Sequence, residues 1–109
     1  MLTCIIRYQI DPTQKANFEE YSRSWGQIIP RLGADLVGYY APHEGSSTLA
    51  YGIYNCENLA AYEAYRARLT VDPMALKNHT FAQANKFLLR EDRTFLKLAS
   101  GPHVPLVKP

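Results

Sequence analysis

Cysteine is scarce in this chain of 109 residues: there are two, together with three histidines. Cys4 and Cys56 do not form the close spacing of a metal site or a redox pair, and no two histidines have the spacing of paired metal ligands. This scarcity argues against a metal centre and against a fold held together by disulfides. We therefore expect both cysteines to pack in the core, and we expect no metal and no other cofactor.

Clusters of one charge and long apolar runs are absent as well. The net charge is +2, and the basic residues are scattered among a similar number of acidic ones, without the basic stripe that binds nucleic-acid phosphates. No segment approaches the roughly 20 apolar residues that cross a bilayer, and no signal peptide opens the chain. Glycine-rich phosphate loops and nucleophile elbows are missing too. We therefore expect a cytoplasmic protein that binds neither nucleic acid nor membrane.

What the chain does have is a clear order of patterns. Two Asp-Pro steps, Asp11-Pro12 and Asp72-Pro73, each end an apolar element and open a helix, because Asp can cap a helix whose first residue is Pro. Around them the sequence reads strand, helix, two strands, two helices, strand. This order predicts an α+β domain over residues 1–98, with a four-stranded antiparallel sheet and helices on one face, followed by a Pro-rich tail at 99–109.

The boundaries of these elements follow from the periodicity of apolar residues. Pro30 should bend or end the first helix, and Gly33 should stop it in a left-handed conformation. The predicted elements are a strand (Leu2–Ile10), a helix (Pro12 to about Leu32), two strands (Asp35–Ala41 and Thr48–Asn55), a helix capped by Asn58, a helix from Pro73 with Leu88 on its apolar face, and a strand (Thr94–Leu98).

The second face of the predicted sheet carries apolar and aromatic residues. Strand one places Ile5 there, and the two hairpin strands add aromatic and aliphatic side chains in either phase of their alternation. A contiguous apolar surface of this kind is uncommon on a monomer. We therefore predict a homodimer in which two sheets meet face to face.

Two segments resemble a known family. They are residues 38–45 (GYYAPHEG) in the hairpin and residues 59–69 (LAAYEAYRARL) in the second helix, which runs into Asp72-Pro73. Over nearly the whole domain the chain resembles a bacterial member of the NIPSNAP family, within the dimeric α/β-barrel (ferredoxin-like) superfamily. The resemblance implies a ferredoxin-like βαββαβ fold with an extra helix before the last strand, a dimer, and a cleft between sheet and helices.

The resemblance leaves three functions open. Cofactor-free monooxygenases and small isomerases of the wider superfamily suggest a small enzyme that acts on an apolar oxygenated or aromatic metabolite in the cleft. The alternative is a non-catalytic dimer that binds small molecules or another protein. A third possibility is haem binding through His79, although its helical angle, opposite the apolar face, predicts exposure to solvent. RNA-recognition domains share the strand order, but strand three has Leu49 and Ile53 where they need a cation and an aromatic.

The candidate ligand-binding residues are cationic, phenolic or imidazole side chains. Arg7 could hold a carboxylate or carbonyl by forked hydrogen bonds, or form an ion pair across the dimer. Phenols could donate to an oxygenated substrate or serve only in packing. His43 could act beside Glu44 at a pocket mouth or be solvated. The full set is Arg7, Tyr39, Tyr40, His43, Tyr51, Tyr65 and Arg66, while Trp25 is assigned to the core.

Overall fold

Every predicted element is present in the computed structural model of the chain, which describes residues 1–101. The elements are β1 (Leu2–Ile10), a turn of 3₁₀ helix (Pro12–Gln14), α1 (Lys15–Arg31), β2 (Asp35–Tyr40), β3 (Leu49–Cys56), α2 (Leu59–Leu69), α3 (Pro73–Asn85) and β4 (Leu88–Leu96). The strands form one antiparallel sheet in the order β2-β3-β1-β4. This is the predicted ferredoxin-like α+β fold, with α3 as the extra helix.

Short polar side chains start the helices, as the sequence predicts. Each accepts a hydrogen bond from a backbone N–H of the first turn, which has no partner inside the helix. The bonds run from Thr13 N to Asp11 Oδ1 (2.9 Å), from Ala61 N to Asn58 Oδ1 (2.8 Å) and from Ala75 N to Asp72 Oδ2 (3.0 Å). The two Asp-Pro steps therefore begin helical segments.

Helix α1 covers one face of the sheet with its apolar stripe. The buried residues, mostly three or four positions apart, are Phe18, Tyr21, Trp25, Ile28 and Ile29. Pro30 lies in the last turn of α1, which ends one residue later, at Arg31. Gly33 then has a φ of +104°, so the predicted left-handed stop is confirmed.

The sheet has an inner face toward the helices and an outer face that the helices leave uncovered. On β1 the inner residues Cys4, Ile6, Tyr8 and Ile10 are at most 2% exposed. The outer residues alternate with them, and the register pairs Ile5 with Ile53 and Arg7 with Tyr51. Among large apolar residues that remain exposed are Tyr40, Leu49 and Leu96, which lie on the outer face by register with these strands.

The predicted end of α3 and start of the last strand were wrong. Helix α3 ends at Asn85 because Lys86 takes the left-handed conformation (φ 54°), with its N–H bonded to the Ala82 carbonyl at 2.9 Å. Leu88 therefore opens β4 and does not lie on α3. Since β4 starts well before the predicted Thr94, the charged residues 90–93 are part of the sheet.

The C-terminal tail was predicted at 99–109. Residues 99–101 have no regular secondary structure, and the remaining residues of the tail, 102–109, lie outside the described part of the chain. Within residues 1–101, no helix is both long enough and apolar enough to cross a membrane.

Candidate functional site

A cavity of about 300 Å³ lies between the inner face of the sheet and the three helices. This volume is at the lower end of the range for small-molecule sites. Within residues 1–101, six aromatic side chains line it, together with charged and imidazole groups. The aromatic residues are Tyr8, Tyr21, Trp25, Tyr39, Tyr54 and Tyr65, and the ionisable groups that accompany them are Arg66, His79, Glu91 and Arg93.

The aromatic wall is held by ring contacts and by one phenol pair. The ring of Tyr8 lies edge-on to Tyr21 at 6.4 Å, and the ring of Tyr54 packs against Tyr65 at 5.4 Å. The hydroxyl oxygens of Tyr8 and Tyr39 are 3.2 Å apart and share a hydrogen bond. These contacts fix the rings, so the wall is formed before any ligand binds.

Gly52 makes room for the ring of Tyr39 in this wall. The two residues are register partners on the inner face of β2 and β3. A Cβ atom at position 52 would lie 2.7 Å from Cζ of Tyr39, so any other side chain would displace the ring. The glycine therefore decides how deep the cavity is beside β2.

The phenols of the wall stay protonated near neutral pH. Burial raises the pKa of Tyr8, Tyr39, Tyr54 and Tyr65 well above the ordinary value of 10. Burial also raises the pKa of the thiol of Cys4, which lies on the inner face of β1. The wall therefore offers hydroxyl donors, and neither it nor Cys4 provides an anionic nucleophile.

Arg93 and Glu91 bring charge into the cavity from β4. They lie on the inner face because the register pairs them with Ile6 and Tyr8. Arg93 Nη2 donates to Glu91 Oε2 at 3.1 Å, and the side chain of Arg93 is 30% exposed. Burial by itself lowers the pKa of Arg93, but the nearby phenols and the Glu91 carboxylate raise it more, so the guanidinium remains charged.

His79 lies at the edge of the cavity, on α3. Its ring is edge-on to Trp25 with centroids 5.2 Å apart, while the residue as a whole is exposed. The predicted exposure is therefore confirmed, but the imidazole also lines the cavity. Partial burial lowers the pKa of His79 below 6.5, so the imidazole is neutral at pH 7 and can accept a proton.

Trp25 is buried, as expected for a core residue, and is 5% exposed. Its Nε1 is buried and has no hydrogen-bond partner within residues 1–101. Most buried polar atoms in proteins are hydrogen-bonded, so this N–H is an exception on the wall of the cavity. Trp25 is also the only tryptophan of the chain, and its fluorescence therefore reports on this site alone.

Three of the seven predicted ligand-binding residues line the cavity: Tyr39, Tyr65 and Arg66. Arg66 Nη1 donates to the Tyr62 hydroxyl at 3.0 Å, and its guanidinium lies 5.8 Å from the centroid of the Tyr62 ring. Arg66 therefore lines the cavity and also packs against a neighbour on its own helix.

The other four predicted residues lie elsewhere. Arg7 and Tyr51 are on the outer face, where Arg7 Nη2 is 3.5 Å from Asp92 Oδ2 of the same chain. Tyr40 is paired with Tyr51 on that face and is 51% exposed. His43 is exposed in the loop between β2 and β3. Arg7 contributes instead to a second depression, of about 290 Å³, with Arg90 and Asp92.

Four residues that line the cavity were not predicted from the sequence to do so: Arg93, Glu91, Tyr8 and Trp25. The alternation of β1 already placed Tyr8 among apolar inner residues, so its position could have been found. Arg93 and Glu91 were missed because the strand was expected to begin at Thr94. No group of three or more His, Cys, Asp or Glu side chains within residues 1–101 could hold a metal ion.

Comparisons with known proteins agree on one family and one fold. The model of the NIPSNAP family matches residues 3–102. A NIPSNAP domain protein from Burkholderia xenovorans has a similar structure (TM-score 0.75, 21% identity, 96% of this chain and 99% of that one). A protein from Agrobacterium tumefaciens is similar to the same degree (TM-score 0.78, 22% identity, 98% and 100%).

A third similar structure has a name that mentions an activity. It is a candidate antibiotic biosynthesis monooxygenase from Nitrosomonas europaea (TM-score 0.70, 11% identity, 92% of this chain and 100% of that one). At this identity the likeness is one of fold alone. Among curated proteins, none matches the sequence.

Proposed function

The chain belongs to the NIPSNAP family, and from that premise and its cavity we propose that it is a small enzyme, monooxygenase- or isomerase-like, that acts on an apolar oxygenated metabolite. The observation that carries this proposal is the cavity of about 300 Å³, with an aromatic wall and the Arg93 guanidinium beside it. Aromatic walls bind apolar rings, and a fixed cation in a site of low water content stabilises negative charge on oxygen.

The proposed step is removal of a proton from a carbon next to a carbonyl group. The C–H bond breaks, its proton passes to a ring nitrogen of His79, and its electron pair forms an enolate whose oxygen lies against Arg93. In a substrate with a C=C bond next to that carbon the enolate is a dienolate, and return of the proton to its far carbon completes an isomerisation. Alternatively, the enolate carbon adds dioxygen and, with a proton, becomes a hydroperoxide; loss of water, which takes the second hydrogen of that carbon, breaks the O–O bond and leaves a carbonyl group, so the CH₂ group supplies all four electrons.

Deuterium exchange tests this step directly. The bicyclic ketone 2-tetralone has acidic C–H groups beside its carbonyl, and their loss in D₂O is measured by proton NMR. We expect the protein to accelerate the exchange, and we expect His79→Gln to reduce the acceleration by on the order of a hundredfold. His43→Gln is the matched control, because His43 is exposed in a loop away from the cavity.

The pH dependence of exchange sharpens this test. The charged groups near His79 are Glu91, which favours its protonation, and Arg66 and Arg93, which oppose it. Since the base must be neutral, the rate should fall as pH decreases through a pKa below 6.5. No acceleration of exchange at any pH would overturn the proposal of an enzyme, whether or not 2-tetralone changes the fluorescence of Trp25.

The alternative, a non-catalytic binder, predicts a different combination of results. The ketone would change the fluorescence of Trp25, and the rate of exchange would stay at the background value. Fold alone does not decide between the two functions.

We also propose that the outer face joins two copies of the chain. Supporting this are the partly buried Ile5 and Ile53 at its centre and the exposed Tyr40, Leu49 and Leu96 around them. Sedimentation velocity at micromolar concentration should give a dimer, and Ile53→Asp should give a monomer. Leu59→Asp, which changes an exposed residue of α2, should remain dimeric; a monomeric wild type would refute the proposal.

A further inference from the structure

The cavity has an excess of positive charge. Within residues 1–101 its charged groups are the guanidinium groups of Arg66 and Arg93 and the carboxylate of Glu91, since His79 is neutral at pH 7. The sum is one positive charge; Arg66 is exposed, so water screens its charge, whereas the side chain of Arg93 is 30% exposed. A ligand that brings one negative charge would balance it.

The cavity also offers hydrogen-bond donors to a ligand. The raised pKa values keep the phenols protonated, and Tyr8 and Tyr39 share one hydrogen bond between two hydroxyl groups. The proton that this bond does not use can go to another acceptor, either the neighbouring Tyr21 hydroxyl or a ligand. The Glu91 carboxylate, which is the anionic acceptor of the wall, already accepts from Arg93. A ligand rich in acceptor atoms would satisfy these donors.

Arg93 has most of its donors free. A guanidinium has five N–H groups in a planar fork. Within residues 1–101 Arg93 donates to one side-chain oxygen, that of Glu91 at 3.1 Å, and also lies within reach of the Cys4 thiol, which is a weak acceptor. The side chain of Arg93 is 30% exposed and the residue as a whole is exposed on β4, so donors that do not bind Glu91 reach water. A planar anion with two oxygens matches the unused edge of the fork and would replace that water.

We infer that the natural ligand carries a planar anion, a carboxylate or the enolate of a 1,3-dicarbonyl, on an apolar ring, and that Arg93 binds this anion. The inference rests on the proposed function, because it names the substrate class of the same cavity. Arg93 is then a binding and specificity-determining residue on β4. The ring occupies the aromatic wall.

Three probes with one ring system test the charge requirement. They are 2-naphthoate, 2-naphthamide and 2-naphthylmethylamine, which present an anion, a neutral acceptor and a cation, respectively. Isothermal titration calorimetry of the full chain at pH 7 should show the carboxylate binding about tenfold to a hundredfold more tightly than the amide, as for hydrogen bonds to charged groups. The amine should bind most weakly.

Variants of β4 assign the effect to one residue. Arg93→Met should remove the difference between carboxylate and amide while the amide still binds, and Arg93→Lys should retain part of it, because an ammonium keeps the charge without the fork. Arg90→Met is the matched control on the same strand: its exposed guanidinium binds Asp92, and its loss should leave the preference intact. Melting curves establish that each variant is folded.

The outcomes separate the two proposals. If wild type binds the carboxylate and the amide equally, or if Arg93→Met keeps the preference, the inference is wrong while the cavity remains a binding site for oxygenated rings. If none of the three probes binds and 2-tetralone leaves Trp25 fluorescence unchanged, the proposed function itself fails.

Discussion

Two arginine–carboxylate pairs in this molecule differ in almost every respect. Arg31 donates to both oxygens of Asp72, at 2.8 and 2.9 Å, and Asp72 is 8% exposed. Arg93 donates once to Glu91, at 3.1 Å, and both side chains remain partly exposed. The first pair uses the full fork of the guanidinium, whereas the second leaves most of it free.

The positions of the two pairs in the chain explain the difference. Arg31 and Asp72 are 41 residues apart, and Asp72 also caps α3 through the N–H of Ala75, so this pair ties the end of α1 to the start of α3. Glu91 and Arg93 are two residues apart on one strand. A pair between neighbours on one strand does not link distant parts of the chain. Arg93 is therefore not needed to hold the fold together and is available to bind a ligand.

The largest expected effect is on thermal stability, and it should be confined to the Arg31–Asp72 pair. Asp72→Ala removes the forked ion pair and the helix cap together, and the melting temperature should fall by on the order of 5 °C or more. Glu91→Ala should change it by no more than about 2 °C, as for most surface substitutions. Thermal unfolding at pH 7, followed by circular dichroism, measures both.

Arg31→Lys refines this experiment, because lysine keeps the charge and loses the fork. Its melting temperature should lie between those of wild type and Asp72→Ala. The comparison would fail if Glu91→Ala were as destabilising as Asp72→Ala.

A smaller effect is expected in acid. The hydrogen bond from Arg31, followed by that from the Ala75 N–H, holds the pKa of Asp72 below its ordinary value of 3.8. A carboxyl with a lowered pKa stabilises the folded state above its unfolded pKa, and this contribution is lost as pH falls through the folded pKa. The gap in melting temperature between wild type and Asp72→Asn should therefore be full at pH 5 and shrink below pH 3.8; a constant gap down to pH 2 would contradict the assignment.

The smallest expected effect concerns the second pair. Glu91→Gln removes the carboxylate that competes with an anionic ligand for Arg93, and affinity for 2-naphthoate should rise roughly twofold to fivefold, the size of an exposed ion-pair interaction. Asp92→Asn is the matched control, since Asp92 pairs with Arg7 and Arg90 on the outer face. Weaker binding by Glu91→Gln would mean that Glu91 orients Arg93 and does not compete for it.

The fold was predictable from the sequence, but the side of the cavity formed by β4 was not. Alternation in β1 and the capping residues Asp11, Asn58 and Asp72 act within a few residues, so local patterns reveal them. The end of α3 depends on a lysine in a conformation that usually needs glycine. Because no glycine marks this position, the helical pattern of the sequence continues past Asn85, and the start of β4 cannot be recognised from the sequence.

The side of the cavity formed by β4 was not predicted because the first part of this strand is charged. Residues 90–93 are two arginines and two acids, which are not typical of strands and resemble a solvated segment. Only the pairing with β1 assigns Glu91 and Arg93 to the inner face and Asp92 to the outer one. Which side a charged strand residue takes is a property of register, and register is set by residues far away in the chain.

The irregular pairing of β2 has a consequence for how this wall changes in evolution. The register moves from Leu36–Tyr54 to Gly38–Ile53, so Val37 is an extra residue opposite the regular ladder. Leu36 and Tyr39 therefore share the inner face although an odd number of positions separates them. Loss of this extra residue would straighten the strand and keep Tyr39 over Gly52. A relative without the extra residue would therefore need a gap between Leu36 and Tyr39 for its tyrosine to match the one in the cavity.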